Sequence, residues 1–148
     1  MAHIHDKIDF TAEVFAVHNG KVLMRLHEKY GIWLSIGGHI ELDEDPNQAA
    51  IREVKEEVGL DIELYDTREY FGYEKKQELV APISVNRHHI NDTHEHVSFQ
   101  FFARSSTDVV VPEKPTDVWK WCALADLDAM ELDPQVAFYA RKALIQLT

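Results

Sequence analysis

The sequence predicts an α/β domain in which helices pack on a mixed, mainly antiparallel sheet. Three observations carry this. Asn19-Gly20 stands between two apolar alternating segments, the strongest short hairpin signal. Matched start and stop signals bracket a helix between Asp45 and Gly59. Further strand-like segments follow, and the chain closes on a second helix with apolar residues at helical spacing.

In chain order, Phe10–His18 reads as the first strand and Lys21–His27 as its returning partner. Glu28–Gly31 is a loop. Ile32–Ile36 is a short extended piece leading into Gly37-Gly38. Asp45 is a good N-cap, Pro46 takes the first helical position, Gln48 completes a capping box, and Gly59 suits the residue past the helix end. The helix should therefore span Pro46–Val58. Asp61–Tyr73 reads as a long, bent strand, and Glu74–Asp92 is less regular, with Ala81-Pro82 as a break and Ile83–Val85 as a short strand. His96–Arg104 is a strand with Val97, Phe99 and Phe101 on one side. A loop over Ser105–Thr116 holds Pro112 and Pro115. Asp117–Leu124 is a strand carrying Trp119 and Trp121, Ala125–Met130 is a helical turn, and Asp133-Pro134 starts a helix to about Leu147.

The 148 residues suit one domain, 1–148. A chain of that length buries about 68–70% of its unfolded surface, enough for a real core. Neither repeats nor low-complexity tracts occur. No apolar run approaches the roughly 18 residues of a membrane span, so no membrane partner is expected. The N-terminus lacks a basic head followed by an apolar stretch, which excludes a signal peptide. The single cysteine, Cys122, permits no internal disulfide and fits a reducing, cytoplasmic setting. In an apolar strand it reads as a buried, inert thiol. A net charge of −11 argues against a nucleic acid polymer as partner, because phosphate binding needs clustered Lys and Arg. An anionic substrate would have to be met through divalent cations.

The acids concentrate in two places, Glu41–Asp45 and Glu53–Glu57. Glu53, Glu56 and Glu57 are three and four residues apart, which puts them on one face of a helix. Each like-charge pair at such spacing weakens a helix by about 0.2–0.5 kcal/mol. A bound cation is the most economical reason for keeping them. Counted at about 100° per residue, Ala50, Ile51, Val54 and Val58 form an apolar arc. Gln48, Arg52 and Lys55 form a polar one. Glu53, Glu56 and Glu57 form a third, with Glu53 and Glu57 bordering the apolar side. An acidic stripe serving only solubility more often lies opposite the buried face, so these carboxylates are expected to look into a cleft.

Gly38 is followed by Glu44, then by Arg52-Glu53-Val54-Lys55-Glu56-Glu57-Val58-Gly59-Leu60. This resembles the Nudix hydrolase family, MutT-like, whose signature is G-x5-E-x7-R-E-U-x-E-E-x-G-U with U aliphatic. All nine specified positions match. Trp33-Leu34 before the glycines and Trp119–Leu127 before the last helix also look like the family, whereas Ser35-Ile36 departs from members with proline there. The resemblance implies an α/β/α sandwich and Mg²⁺-dependent (or Mn²⁺-dependent) hydrolysis of a small-molecule nucleoside diphosphate derivative by water attack on phosphorus. By analogy at matching positions, Gly38 (through its carbonyl), Glu53, Glu56 and Glu57 resemble the metal site. Glu53, Arg52 and Glu57 resemble the catalytic set, with Glu53 orienting or deprotonating the water and Arg52 fixing the glutamates. Glu44 resembles a supporting residue. Glu95, Glu113 and Asp117 are open candidates for a base or extra ligand from outside the signature. Family habit suggests a homodimer.

Two other readings share the fold, one a binding module and one a further enzyme. A nucleotide-sensing or partner-binding module on the same fold would be marked by a lost signature carboxylate, and none is lost. An isoprenoid diphosphate isomerase would call for a cysteine near the signature, and there is none. His88, His89, His94 and His96 crowd nine positions. His94-x-His96 in an extended segment would share a face and suit a transition metal or a substrate phosphate, but an exposed polar loop is the simpler expectation. His3-x-His5 belongs to a mobile terminus on the same grounds. Phe71, Tyr73, Phe99, Phe101, Phe102, Trp119 and Trp121 are expected as core or sheet packing, and Trp33 as the exposed aromatic that could stack on a base. Substrate identity is not encoded in the signature. Pro82, the first proline downstream, lies 22 residues past Leu60, not at the spacing of ADP-ribose hydrolases, and no coenzyme A pattern precedes the signature. The segment from Glu74 to His96 is expected to select the leaving group.

Overall fold

The structure, a computed structural model, describes residues 6–148. His3 and His5 lie outside the described residues. The elements run β1 (Ile8–His18), β2 (Lys21–His27), β3 (Ile32–Leu34), β4 (Ile36–His39), α1 (Pro46–Val58), β5 (Ile62–Leu64), β6 (Ser84–Asn91), β7 (His94–Ser105), β8 (Trp119–Cys122), α2 (Leu124–Asp128) and α3 (Pro134–Leu147). Asn19 and Gly20 both adopt positive φ, 45° and 73°, as a two-residue hairpin turn requires.

The sheet is built on β1 and β7, which run parallel in register from Ile8↔Glu95 to Val17↔Arg104. All other pairings are antiparallel. The free edge of β1 is shared by β2 at its end and β4 nearer its middle, and that of β7 by β5 and β6. β8 and β3 both pair with β2. One face buries Ala12, Val14, Ala16, Phe101 and Ala103 with Ala49, Ala50, Val54 and Val58 of α1. The other buries Phe15, Val17 and Phe102 with Val136, Ala140, Ala143 and Leu144 of α3. Period-2 alternation along β1 thus feeds two cores on opposite sides, and the result is the expected α/β/α sandwich with a mixed, mainly antiparallel sheet.

Several sequence expectations are corrected. Asp61–Tyr73 is not one long strand. Tyr65 still donates its N–H to Phe102 O, at 2.7 Å, but two residues along β7 the partner becomes Ile83, whose N–H reaches Gln100 O at 2.8 Å. The β7 edge is taken over by β6, so the residues after Tyr65 have no strand to pair with. β6 in turn is an eight-residue strand, not a three-residue one. Its polar, exposed side chains hide the period, and pairing with β7 supplies the order. Ile51 points outward, 45% exposed, because α1 is rolled to bury Glu57 beside Ala50, Val54 and Val58. Phe71 and Tyr73 are exposed on the excursion that leaves the sheet. Trp33 is instead partly buried against the α3-side core. Cys122 is buried as expected. No helix among the described residues is long and apolar enough to cross a membrane.

Candidate active site

The end of β4 and the length of α1 are fixed independently and meet face to face. Antiparallel pairing of Glu13↔Gly37 and Ala12↔Gly38 holds the two glycines against β1. The α1 start is fixed by Asp45, which accepts from Gln48 N while Gln48 Oε1 accepts from Asp45 N, both at 2.9 Å. Gly59 closes it at φ 69°, donating to Lys55 O at 3.0 Å.

Arg52 is the hub of the exposed half of the site. Its Nε and Nη2 donate to both oxygens of Glu44 at 2.9 and 2.6 Å, a bidentate pair. Its Nη1 donates to Glu53 Oε1 and Glu56 Oε2 at 3.0 and 3.1 Å, and Nη2 also reaches His39 O at 3.0 Å. One guanidinium therefore ties the loop, the end of β4 and two helix carboxylates together. The Glu44 contact raises the Arg52 pKa further and holds the Glu44 carboxyl below its usual range. Glu44 Oε1 also accepts from Glu41 N at 2.9 Å, which ties the loop back on itself.

Glu53 lies against Gly38. A methyl group at Gly38 would stand 2.5 Å from Glu53 Cδ and Oε1, so the missing side chain is what makes room for this carboxylate. Burial raises the Glu53 pKa, partly offset by Arg52. Glu57 lies deeper, 9% exposed. Burial, reinforced by Glu53 and Glu113 against the opposing pull of Arg25 and of the Gly37 backbone N–H, pushes its carboxyl up to about 7. Arg25 Nη1 donates to Glu57 Oε1 at 2.9 Å, while the buried Oε2 has no hydrogen-bond partner. Glu56, with a side chain 54% exposed, stands on the open side.

Three carboxylates beside a strand-end glycine, one of them with an unsatisfied buried oxygen, form a hard oxygen donor set that fits a divalent cation such as Mg²⁺. An orphaned carboxylate oxygen is costly unless something binds it. Glu53 and Glu57 border the buried face as expected, and Glu56 stands on the open side.

The outside candidates separate. Glu113 donates its N–H to Glu57 O at 3.0 Å and so borders Glu57, while Asp117 lies 3.6 Å from Nη2 of the Arg25 that holds Glu57. Glu95 pairs instead with Lys7 and Arg87, and the Arg87 contact holds its carboxyl below the usual range. Sequence reasoning missed Arg25. Its signal was a cation at an interior position of the apolar strand Lys21–His27. It missed as well that His94 and His96 are joined by Asp9 and His39.

A family model described as NUDIX domain matches residues 10–144. Among solved structures, a Nudix family hydrolase from Clostridium perfringens superposes with a TM-score of 0.87 at 32% identity, covering 95% of this chain and 98% of that one. A MutT Nudix hydrolase from Burkholderia pseudomallei gives 0.66 at 21% identity, covering 96% and 99%, a likeness of fold. An RNA pyrophosphohydrolase from Bartonella tribocorum is 32% identical over 105 residues, 66% of this chain and 60% of that protein. The chain thus spans about three fifths of the length of the first curated relatives it matches.

Proposed function

We propose, from the premise that this chain belongs to the Nudix hydrolase family, whose members act on pyrophosphate bonds, that it is a metal-dependent pyrophosphohydrolase for a nucleoside diphosphate linked to another group. The observation that carries this reading is the buried Glu57 carboxylate with its unpartnered Oε2, set beside Glu53 in the space that Gly38 leaves open.

Glu53, Glu56, Glu57 and the Gly38 carbonyl would hold Mg²⁺ or Mn²⁺. The ion, when bound, neutralises diphosphate charge and lowers the pKa of a coordinated water. The protein's own part is positional. Arg52 fixes Glu53 and Glu56 in one plane of contacts, so little reorganisation is left for the moment of reaction. Glu53 is the group assigned to orient the attacking water and take its proton, and burial raises its pKa. Arg25 keeps Glu57 from retreating into a fully neutral state. The segment after Tyr65 is clamped to the helix start by Asn47, whose side chain bonds Val80 N and O at 2.8 and 2.9 Å. That attachment supports the reading that the segment selects the group beyond the diphosphate.

A substrate panel tests this. Dinucleotides, nucleotide sugars, nucleoside triphosphates and a short RNA bearing a 5′ polyphosphate are incubated with and without Mg²⁺ or Mn²⁺, and released phosphate and pyrophosphate are assayed. Metal-dependent turnover of at least one class is expected, and Glu53→Gln and Glu57→Gln should each lower kcat by about 100-fold or more. No turnover on any compound together with no metal binding would sink the enzyme reading.

A further inference from the structure

Beyond the α1 carboxylates, three strands bring a second set of ligating side chains to one point. β1 supplies Asp9, β4 supplies His39, and β7 supplies His94 and His96. The topology makes this meeting unavoidable. Asp9 is the direct register partner of His96 across the parallel β1–β7 pair. His39 pairs with Thr11, two residues along β1 and on the same face as Asp9. His94 and His96 share that face by the period of a strand.

The four side chains offer one donor atom each, all within 4.8 Å of one another. Asp9 Oδ2 is the centre, 3.4 Å from His39 Nε2 and 2.5 Å from His94 Nε2. The His96 ring lies edge-on to those of His39 and His94, with centroids 5.2 and 5.3 Å away. A tetrahedral ion with bonds of about 2.0 Å needs donors about 3.3 Å apart, so small side-chain rotations bring this set to coordination distance. Three imidazoles and one carboxylate suit a borderline ion and not Mg²⁺, which prefers an all-oxygen shell. Burial, with His39, His88 and His94 around it, lowers the His96 pKa. The sites are adjacent but separate. Arg52 donates to the His39 carbonyl, while the His39 ring turns to Asp9.

We propose that Asp9, His39, His94 and His96 form a second metal site, selective for Zn²⁺-class ions over Mg²⁺, which anchors the end of β4 beside Gly38. An ion there takes the place of the direct His94–Asp9 contact and ties the strand that carries the Arg52 acceptor to β1 and β7. The site is independent of the hydrolase reading, and either can fail without the other.

The test uses the full chain without an added histidine tag, stripped with a chelator and then titrated with Zn²⁺ in excess Mg²⁺. One tightly held equivalent of zinc is expected, with a rise in the unfolding midpoint. Co²⁺ in its place should give the visible absorption of a four-coordinate nitrogen–oxygen site. His94→Gln, His96→Gln and the more exposed His39→Gln should each weaken zinc by at least about 100-fold, since loss of a mere outer-shell partner costs about 10–100-fold. His39→Gln covers the case in which the β7 variants fold poorly. Glu57→Gln and the pair His3→Ala/His5→Ala should leave zinc binding in place. Absence of a zinc equivalent in excess Mg²⁺, retention in all three histidine variants, or loss in Glu57→Gln or in the His3/His5 pair would overturn the proposal.

Discussion

Gly38→Ala separates the proposed catalytic geometry from the fold. Gly38 is not at a positive φ, so alanine is accepted by the backbone. Its methyl, however, would lie 2.5 Å from Glu53 Cδ and Oε1 and 2.7 Å from Oε2, where ordinary contact begins at 3.4 Å. The carboxylate must retreat by about 0.9 Å. Glu53 is the flexible partner in this clash, so the fold tolerates the change while the donor set does not. A misplacement of about 1 Å at a reacting group costs on the order of 100-fold in rate. We therefore expect Gly38→Ala to lower kcat by about 100-fold and to weaken Mn²⁺ binding, with an unfolding midpoint close to the parent. Rates come from steady-state assays on the best substrate of the panel, Mn²⁺ affinity from titration calorimetry, and stability from urea unfolding. Full rate with unchanged metal affinity would refute the reasoning that Gly38 exists to seat Glu53. Gly37→Ala is the contrasting case: its methyl would meet Ala12 O at 2.2 Å, backbone against backbone, so stability should fall before any kinetic effect is read.

Other outcomes follow from the same contacts. Glu57 has a folded pKa raised to about 7, above its unfolded value, so in metal-free protein its ionisation removes stability as pH rises from about 4.5 through 7. The effect is on the order of 3 kcal/mol. Urea unfolding at pH 5 and pH 8 should show it, with Mg²⁺ restoring most of the loss at pH 8 and binding more weakly as pH falls below 7. A metal-free protein equally stable at both, with Glu57→Gln no different, would contradict it. Glu13, which accepts from Ser35 Oγ at 2.9 Å, also has a pKa raised by burial. Glu13→Gln keeps the acceptor and removes the charge, so it should raise the unfolding midpoint at pH 8, with the gain vanishing near pH 4. A loss of stability at pH 8 would count against it. Arg52→Lys keeps one charge but cannot hold Glu44 in a bidentate pair while reaching Glu53, Glu56 and the His39 carbonyl. A drop of about 10–100-fold in metal affinity is expected by calorimetry, and an unchanged value would show the fork to be dispensable.

Much of the site was legible because it is local. From Gly38 to Leu60, the capping box, the helix length and the clustering of Glu53, Glu56 and Glu57 depend on offsets of three and four residues, which sequence spacing fixes. The Asn19-Gly20 hairpin is legible for the same reason. What could not be read concerns competition between distant segments. The residues after Tyr65 look strand-like, yet β6 occupies the β7 edge they would need. Ile51 fits the apolar arc by periodicity, but the roll of α1 that buries Glu57 against Arg25 turns it out.

The sequence by itself determined the helix and its row of carboxylates, since those are properties of neighbours along the chain, and its resemblance to the Nudix signature implied the class of bond. Only the tertiary structure decided that Glu57 is deep and Glu56 open, that Arg25 is its counter-charge, and that Asp9 and His39 join His94 and His96. Each of these depends on which strands lie side by side, and strand pairing brings together residues dozens of positions apart that no local spacing relates.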